Sequence, residues 1–159
     1  MDHDAALRDH VAKLILWEDA HSGFDTAVDG ISPASRCVVP DGFPHSAWQL
    51  LEHLRLAQED ILDFCRNSDY EEGTFPDDYW PKSVAPPYEK AWDESIAAFR
   101  KDRSDVVALV QDPKRDLFAP IPHGSGQTYL REALLVADHN AYHLGQLMLL
   151  KKMLEARDR

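Results

Sequence analysis

Apolar residues recur every three or four positions through four stretches of this chain, and that spacing predicts four helices. The first runs from Asp4 to about Val28, with Leu7, Val11, Leu14, Glu18, His21 and Asp25 along one side and Trp17, Phe24 and Val28 beside them. On this reading His21 faces inward. Gly30 and Pro33 end the segment, since glycine relaxes the backbone and proline cannot continue a helix. The second helix runs from Ala47 to about Arg66. Ser46 stands three before Gln49, the Ser-x-x-Gln pattern of a capping box. Its inward stripe reads Gln49, Leu50, His53, Leu56, Ala57, Asp60, Ile61 and Phe64, opposite a wet side of Glu52, Arg55 and Glu59. The third runs from about Tyr88 to Gln111 on a stripe of Trp92, Ser95, Ile96, Phe99, Val106 and Leu109, and carries no histidine. The fourth runs from Thr128, a good cap residue, to about Ala156.

The connections are rich in proline and glycine. Residues 68–87 hold Gly73, Pro76, Pro81, Pro86 and Pro87 together with Tyr70, Phe75, Tyr79 and Trp80. Four aromatics predict a packed loop, which either covers a pocket mouth or straps two helices together. No stretch alternates long enough to build a sheet. The expectation is an all-α chain, a four-helix bundle forming a single domain over 1–159. A periodic pattern leaves open whether the longer connections cross over the bundle.

Chemistry concentrates on the last helix. His139 and His143 are four apart, so they stand one above the other on one face. That face is the apolar stripe of Tyr129, Val136, Leu147, Leu150 and Leu154. An imidazole in such a stripe loses water and needs a partner for each ring nitrogen. Two separate bonds to backbone carbonyls satisfy the pair, and so does one metal ion shared between them. His53 lies mid-stripe on the second helix, and bundle cores are where facing helices build metal sites. Three neutral imidazoles plus water make an open, catalytic-type zinc arrangement. A di-iron carboxylate site fits worse, because it requires two Glu-x-x-His motifs and the chain has only Glu18 with His21. There is no His-Glu-x-x-His, no glycine-rich phosphate loop and no Gly-x-Ser-x-Gly. A Cys–His nucleophile stays open in principle, although Cys65 falls away from the centre of the His53 stripe.

Charge narrows the partners. The net charge of −11, with no basic block, argues against nucleic acid and against an anionic membrane surface. The acidic start, Met1-Asp2-His3-Asp4, lacks a signal-peptide core, and the apolar run Leu14-Ile15-Leu16-Trp17 is far too short to span a bilayer. Cys37 and Cys65 form no close pair and read as free thiols, which suits a reducing cytoplasm. The fourth helix carries a second apolar strip, Leu130, Leu134, Ala137, Ala141, Leu144 and Met148. With the histidine stripe this makes more than half its circumference apolar, which predicts a homodimer or a helix central to the bundle.

Two segments taken together resemble the DinB-like superfamily. They are Pro44-His45-Ser46-Ala47-Trp48-Gln49-Leu50-Leu51-Glu52-His53-Leu54 and His139-Asn140-Ala141-Tyr142-His143-Leu144-Gly145-Gln146. The resemblance implies a DinB-like bundle, commonly dimeric, holding one divalent metal ion on His53, His139 and His143. It further implies a thiol-dependent S-transferase acting on small electrophiles. The alternatives are a metal-dependent hydrolase and a non-catalytic, stress-related metal-binding dimer. The expected partners are then a small-molecule thiol and an electrophile. Three imidazoles suit zinc, nickel, copper and iron, with zinc and nickel placed first. His21 stands as a support to a ligand, a fourth ligand or a plain core residue, in that order. Gln146, one turn beyond His143, and Asp60, two turns beyond His53, are expected to orient ligands or substrate.

Overall fold

The computed structural model describes residues 2–16 and 20–157. Five helices fill it: α1 (His3–Leu16), α2 (Phe24–Val28), α3 (Ala47–Arg66), α4 (Ala91–Gln111) and α5 (Tyr129–Arg157). Among the described residues there is no strand, only an isolated bridge between Pro120 and Thr128. The four long helices pack as a bundle, with α3 between α4 and α5 and α1 closing the ring against both.

Side-chain bonds set the direction of each helix. Along α3 and α4 the residue numbers rise together: Ser95 donates to Glu52 at 2.7 Å, Gln58 to the Phe99 carbonyl at 2.8 Å, and Arg66 pairs with Asp105 at 3.2 Å. These two helices are therefore parallel. Against α5 the numbers run oppositely, from His53–His143 to Gln58–Asn140, so α3 and α5 are antiparallel. Arg8 reaches the Val110 carbonyl while Asp25 pairs with Arg100, so α1 and α2 oppose α4. The directions are up, down, down, up, and the segment between α3 and α4 is a crossover that returns along the bundle. The helical period carries no information about direction, so this could not be read from the pattern.

The expected first helix is broken. α1 stops at Leu16, and α2 begins only after Gly23, which caps it in extended backbone at φ −80° and ψ 178°. Glycine is the poorest helix former after proline, and here it starts a new helix rather than continuing the old one. Trp17 and Glu18 lie outside the described residues. The chain leaves α2 through Gly30, whose φ of +69° is natural only to glycine.

The buried face of α3 also differs from the expected stripe. Leu51, Leu54, Gln58, Leu62 and Cys65 are buried, whereas Gln49, Leu56, Asp60, Ile61 and Phe64 are only half-buried. A polar residue, Gln58, sits on the core face, and that shifted the apparent stripe. The capping box formed as read: Ser46 Oγ accepts from Gln49 N at 3.2 Å, and Gln49 Oε1 accepts from Ser46 N at 3.1 Å. Thr128 Oγ1 likewise accepts from Arg131 N at 3.2 Å at the head of α5. Helix α4 starts at Ala91, three residues later than expected, behind Pro86 and Pro87.

The core divides into two apolar clusters. One, around Phe24, Trp48, Trp92, Phe99 and Leu147, fills the end where α3 and α4 begin. The other, around Val11, Leu62, Val106, Val110 and Val136, fills the opposite end. Gln58 and Asn140 lie between them, 1% and 5% exposed and bonded to each other at 2.9 Å.

Candidate metal centre

The first turns of α3 anchor the crossover. Ser46 Oγ donates to the Val84 carbonyl at 2.6 Å, and Gln49 Nε2 donates to the Pro81 carbonyl at 3.3 Å. One turn further on, His53 is buried against α5, where it meets His139 and His143. The expectation that His53 faces the same space as the α5 pair holds. His53 Nε2 lies 3.1 Å from His143 Nε2 and 3.1 Å from His139 Nε2. The three ligand atoms all fall within 4.8 Å of one another, and this group could hold a metal ion.

The outer nitrogens decide what the inner ones present. His53 Nδ1 is 2.8 Å from the Tyr79 carbonyl, which can only accept, so Nδ1 carries the proton. His143 Nδ1 is 2.7 Å from Gln146 Oε1, with the same consequence. Each of these rings then offers an unprotonated Nε2 to the common point. Two lone pairs facing each other at 3.1 Å repel unless a cation lies between them. Nitrogens each about 2.0–2.1 Å from a tetrahedral zinc lie roughly 3.3–3.4 Å apart, close to the spacing found. The donor set therefore fits a divalent cation that accepts imidazole.

Burial keeps the rings neutral. It pushes His53 down to about 4, helped by its histidine neighbours and opposed by the Tyr79 carbonyl. It pushes His139 down to about 4 as well, with His143 adding to the effect. His143 is lowered by burial, against the opposing Gln146 bond. Neutral imidazole is the form that binds metal, and no proton need be expelled near neutral pH.

Aromatic rings enclose the group. Trp80, from the crossover, stacks on His53 with centroids 3.8 Å apart and also meets His143 edge-on. His45 stacks on Trp80 at 4.1 Å, and Tyr142 lies across His143. The crossover thus covers the histidine group as well as strapping the helices. Trp80, Tyr79 and His45 were not singled out from the sequence. The cluster of four aromatics was the only signal that this loop packs, and nothing in it indicated which ring meets which helix.

The remaining expected residues separate. Gln146 touches His143. Asp60 accepts from the Tyr70 hydroxyl at 2.9 Å and lines a groove under the crossover instead of touching a histidine. Burial raises its carboxyl, and the phenols of Tyr70 and Tyr79 oppose that. His21 is exposed, with Nδ1 3.0 Å from the Ser22 carbonyl. The inward placement expected for it fails because the helix that would have carried it ends at Leu16. Cys65 is buried in the other half of the core, where burial pushes its thiol up to about 12. That leaves no Cys–His nucleophile at this site.

The family model of the DinB superfamily matches residues 16–147, a span that contains all three histidines. The chain belongs to the DinB superfamily. Comparison with curated proteins and with solved structures gives no match. The all-helical architecture of this DinB-superfamily chain agrees with the bundle expected from its periodicity. No described helix is long and apolar enough to cross a membrane.

Proposed function

We propose that this protein is a metal-dependent enzyme in which His53, His139 and His143 hold one divalent cation, zinc or nickel, and that it transfers a small-molecule thiol to a small electrophile. The observation that carries the reading is the convergence of three imidazole Nε2 atoms whose outer nitrogens are tied to acceptors at His53 and His143. When bound, the cation supplies a positive, Lewis-acidic centre that favours a thiolate over a thiol at neutral pH. The residues of the chain do the rest. Tyr79 and Gln146 keep the protons of His53 and His143 on Nδ1. Trp80 shuts water away from the face of His53. His139, the least buried of the three, marks the side from which a small ligand enters. Neither Cys37 nor Cys65 joins the group, so the thiol comes from outside the chain. We further propose that the working form is a homodimer built on the outer face of α5.

Elemental analysis of protein purified without a histidine tag tests the first part, with one equivalent of metal per chain expected and loss of it in His143→Ala. The second part is tested by incubating metal-loaded protein with a chloronitrobenzene or monobromobimane and a series of low-molecular-weight thiols. Thiol-dependent turnover abolished by His139→Ala supports transfer. Hydrolysis of esters or amides without any thiol replaces it with a hydrolase. Full occupancy without turnover of either kind leaves a non-catalytic metal-binding protein.

A further inference from the structure

Arg36 stands in the connection between α2 and α3, and its backbone is fixed there from both sides. Its N–H donates to the Ser32 carbonyl at 3.2 Å, and its carbonyl accepts from Trp48 N at 3.0 Å at the head of α3. The side chain crosses to α4, where the guanidinium lies over the ring of the buried Trp92, 4.8 Å from its centroid. Tryptophan is the best ring for a cation held this way, but stacking leaves the in-plane N–H groups to find acceptors elsewhere. Among the described residues they find none: Arg36 makes no ion pair, and its enclosed Nε has no hydrogen-bond partner.

The cation is not unpaired for want of carboxylates. Asp25, Asp29 and Asp93 line the same cleft, of about 330 Å³, between α2, the turn that follows it and α4. Asp25 is already held by Arg100, at 2.6 and 2.8 Å. Asp29 and Asp93 are exposed and make no ion pair among the described residues. The floor between these charges is apolar, formed by Val28, Ile31, Trp92 and Ile96. The cleft thus offers one free positive group, two free negative groups and an apolar base. Small-molecule sites combine a few placed polar groups with such a lining in volumes of about 300–1,000 Å³.

Charge decides what fits. A plain anion meets Arg36 but also two carboxylates, and a plain cation meets the carboxylates but also Arg36. Each leaves an unpaired or repelled group, which selects against it. A molecule with one carboxylate and one ammonium satisfies both signs. A carboxylate pairs with guanidinium through two parallel bonds, and enclosure of Nε leaves the terminal nitrogens to make them. We infer that this cleft binds a small apolar α-amino acid, with its carboxylate on Arg36, its ammonium toward Asp29 and Asp93, and its side chain on Trp92 and Ile96. None of the three clustered histidines lines the cleft, so the inference does not rest on the metal centre.

The test is titration of L-leucine into nitrogen-15-labelled protein, followed by calorimetry and by the indole N–H signal of Trp92. Saturable binding of one leucine per chain, with a shift of that signal, is expected. N-acetyl-leucine lacks the ammonium and leucinamide lacks the carboxylate, so each should bind about 10- to 100-fold more weakly. Arg36→Met keeps an apolar stem over Trp92 and should cause the same loss. Where Arg36→Met does not fold, the paired change Asp29→Asn with Asp93→Asn, on exposed positions, and the two blocked ligands decide instead. Amino acids also chelate metals, so His143→Ala serves as a control and should bind leucine unchanged. No response to leucine up to its solubility overturns the inference. So does equal binding of either blocked form, leucine affinity kept in Arg36→Met, or binding lost in His143→Ala, which would move the ligand to the histidines.

Discussion

The indole of Trp80 lies flat on the imidazole of His53, with centroids 3.8 Å apart and planes within 9°. A loop residue and a buried helix residue are thereby joined at the point where the three histidines meet. Trp80 should report directly on that point. Adding nickel or copper to metal-free protein is expected to quench tryptophan emission, and Trp80→Phe should remove most of the change. Trp48 and Trp92 lie in the apolar cluster and should contribute little. Quenching that is as strong in Trp80→Phe as in the parent protein would disprove the stacking.

Metal removal should lower stability, because a ligand bound only by the folded chain stabilises it. At a free concentration one hundred times Kd the gain is about 2.7 kcal/mol. For a domain of this size that corresponds to roughly 5–10 °C in Tm. His53→Ala, His139→Ala and His143→Ala should each abolish the metal-induced rise in a thermal melt. A variant that keeps the full rise is not missing a ligand.

The metal-free protein should lose stability on acidification through a defined window. His53 and His139 are lowered to about 4 in the folded chain, against an ordinary value of 6.5. Between these values the unfolded chain binds protons that the folded chain refuses, so stability rises with pH across the window. The contribution is complete above about pH 6.5 and is lost progressively as the pH falls toward about 4. Urea midpoints measured from about pH 7 down to about pH 4.5 should fall, and should fall less in a protein with both histidines replaced. Loaded protein should release its metal in the same direction, since protons compete for the imidazoles.

The outer side of α5 should be a contact between two copies. Leu134, Tyr142 and Leu149 are 43%, 63% and 55% exposed, and Ala141 lies on the same side. Ala137 and Leu144, from the strip first associated with a dimer, are instead buried inside the bundle. The expected contact is therefore centred about Leu134, Ala141 and Leu149, facing away from the histidines. Light scattering at micromolar concentration should give twice the chain mass, and Leu149→Glu should halve it. A monomer at every concentration rules the contact out.

How much of this was legible follows from the range of the interactions. The cap of α3 needs only Ser46 and Gln49, three residues apart, and it was read correctly. His139 and His143 share a face by helical geometry alone, and their apolar stripe placed them inside. His53 joined them because its own stripe also faces inward. The break after Leu16 was missed because Phe24 and Val28 continue the apolar spacing across it, and with the break went the placement of His21. Gln58 and Asn140 were missed because a polar residue counts against a core face, whereas here the Asn140 amide donates to Gln58 and Gln58 donates to the Phe99 carbonyl. Trp80 and His45 reach the site from irregular backbone, where periodicity says nothing.

The parallel run of α3 and α4 has a further consequence in simple lengths. A connection between them must travel back along a helix of 20 residues, about 30 Å at the helical rise. The stretch from Asn67 to Lys90 could extend to roughly 80 Å. More than half of its contour is therefore slack, free to loop outward and return with its aromatic rings turned down on the bundle. An antiparallel neighbour reached by a short turn would have had no such surplus. The covering over the histidines is drawn from chain length that the topology requires to be long and leaves unspent.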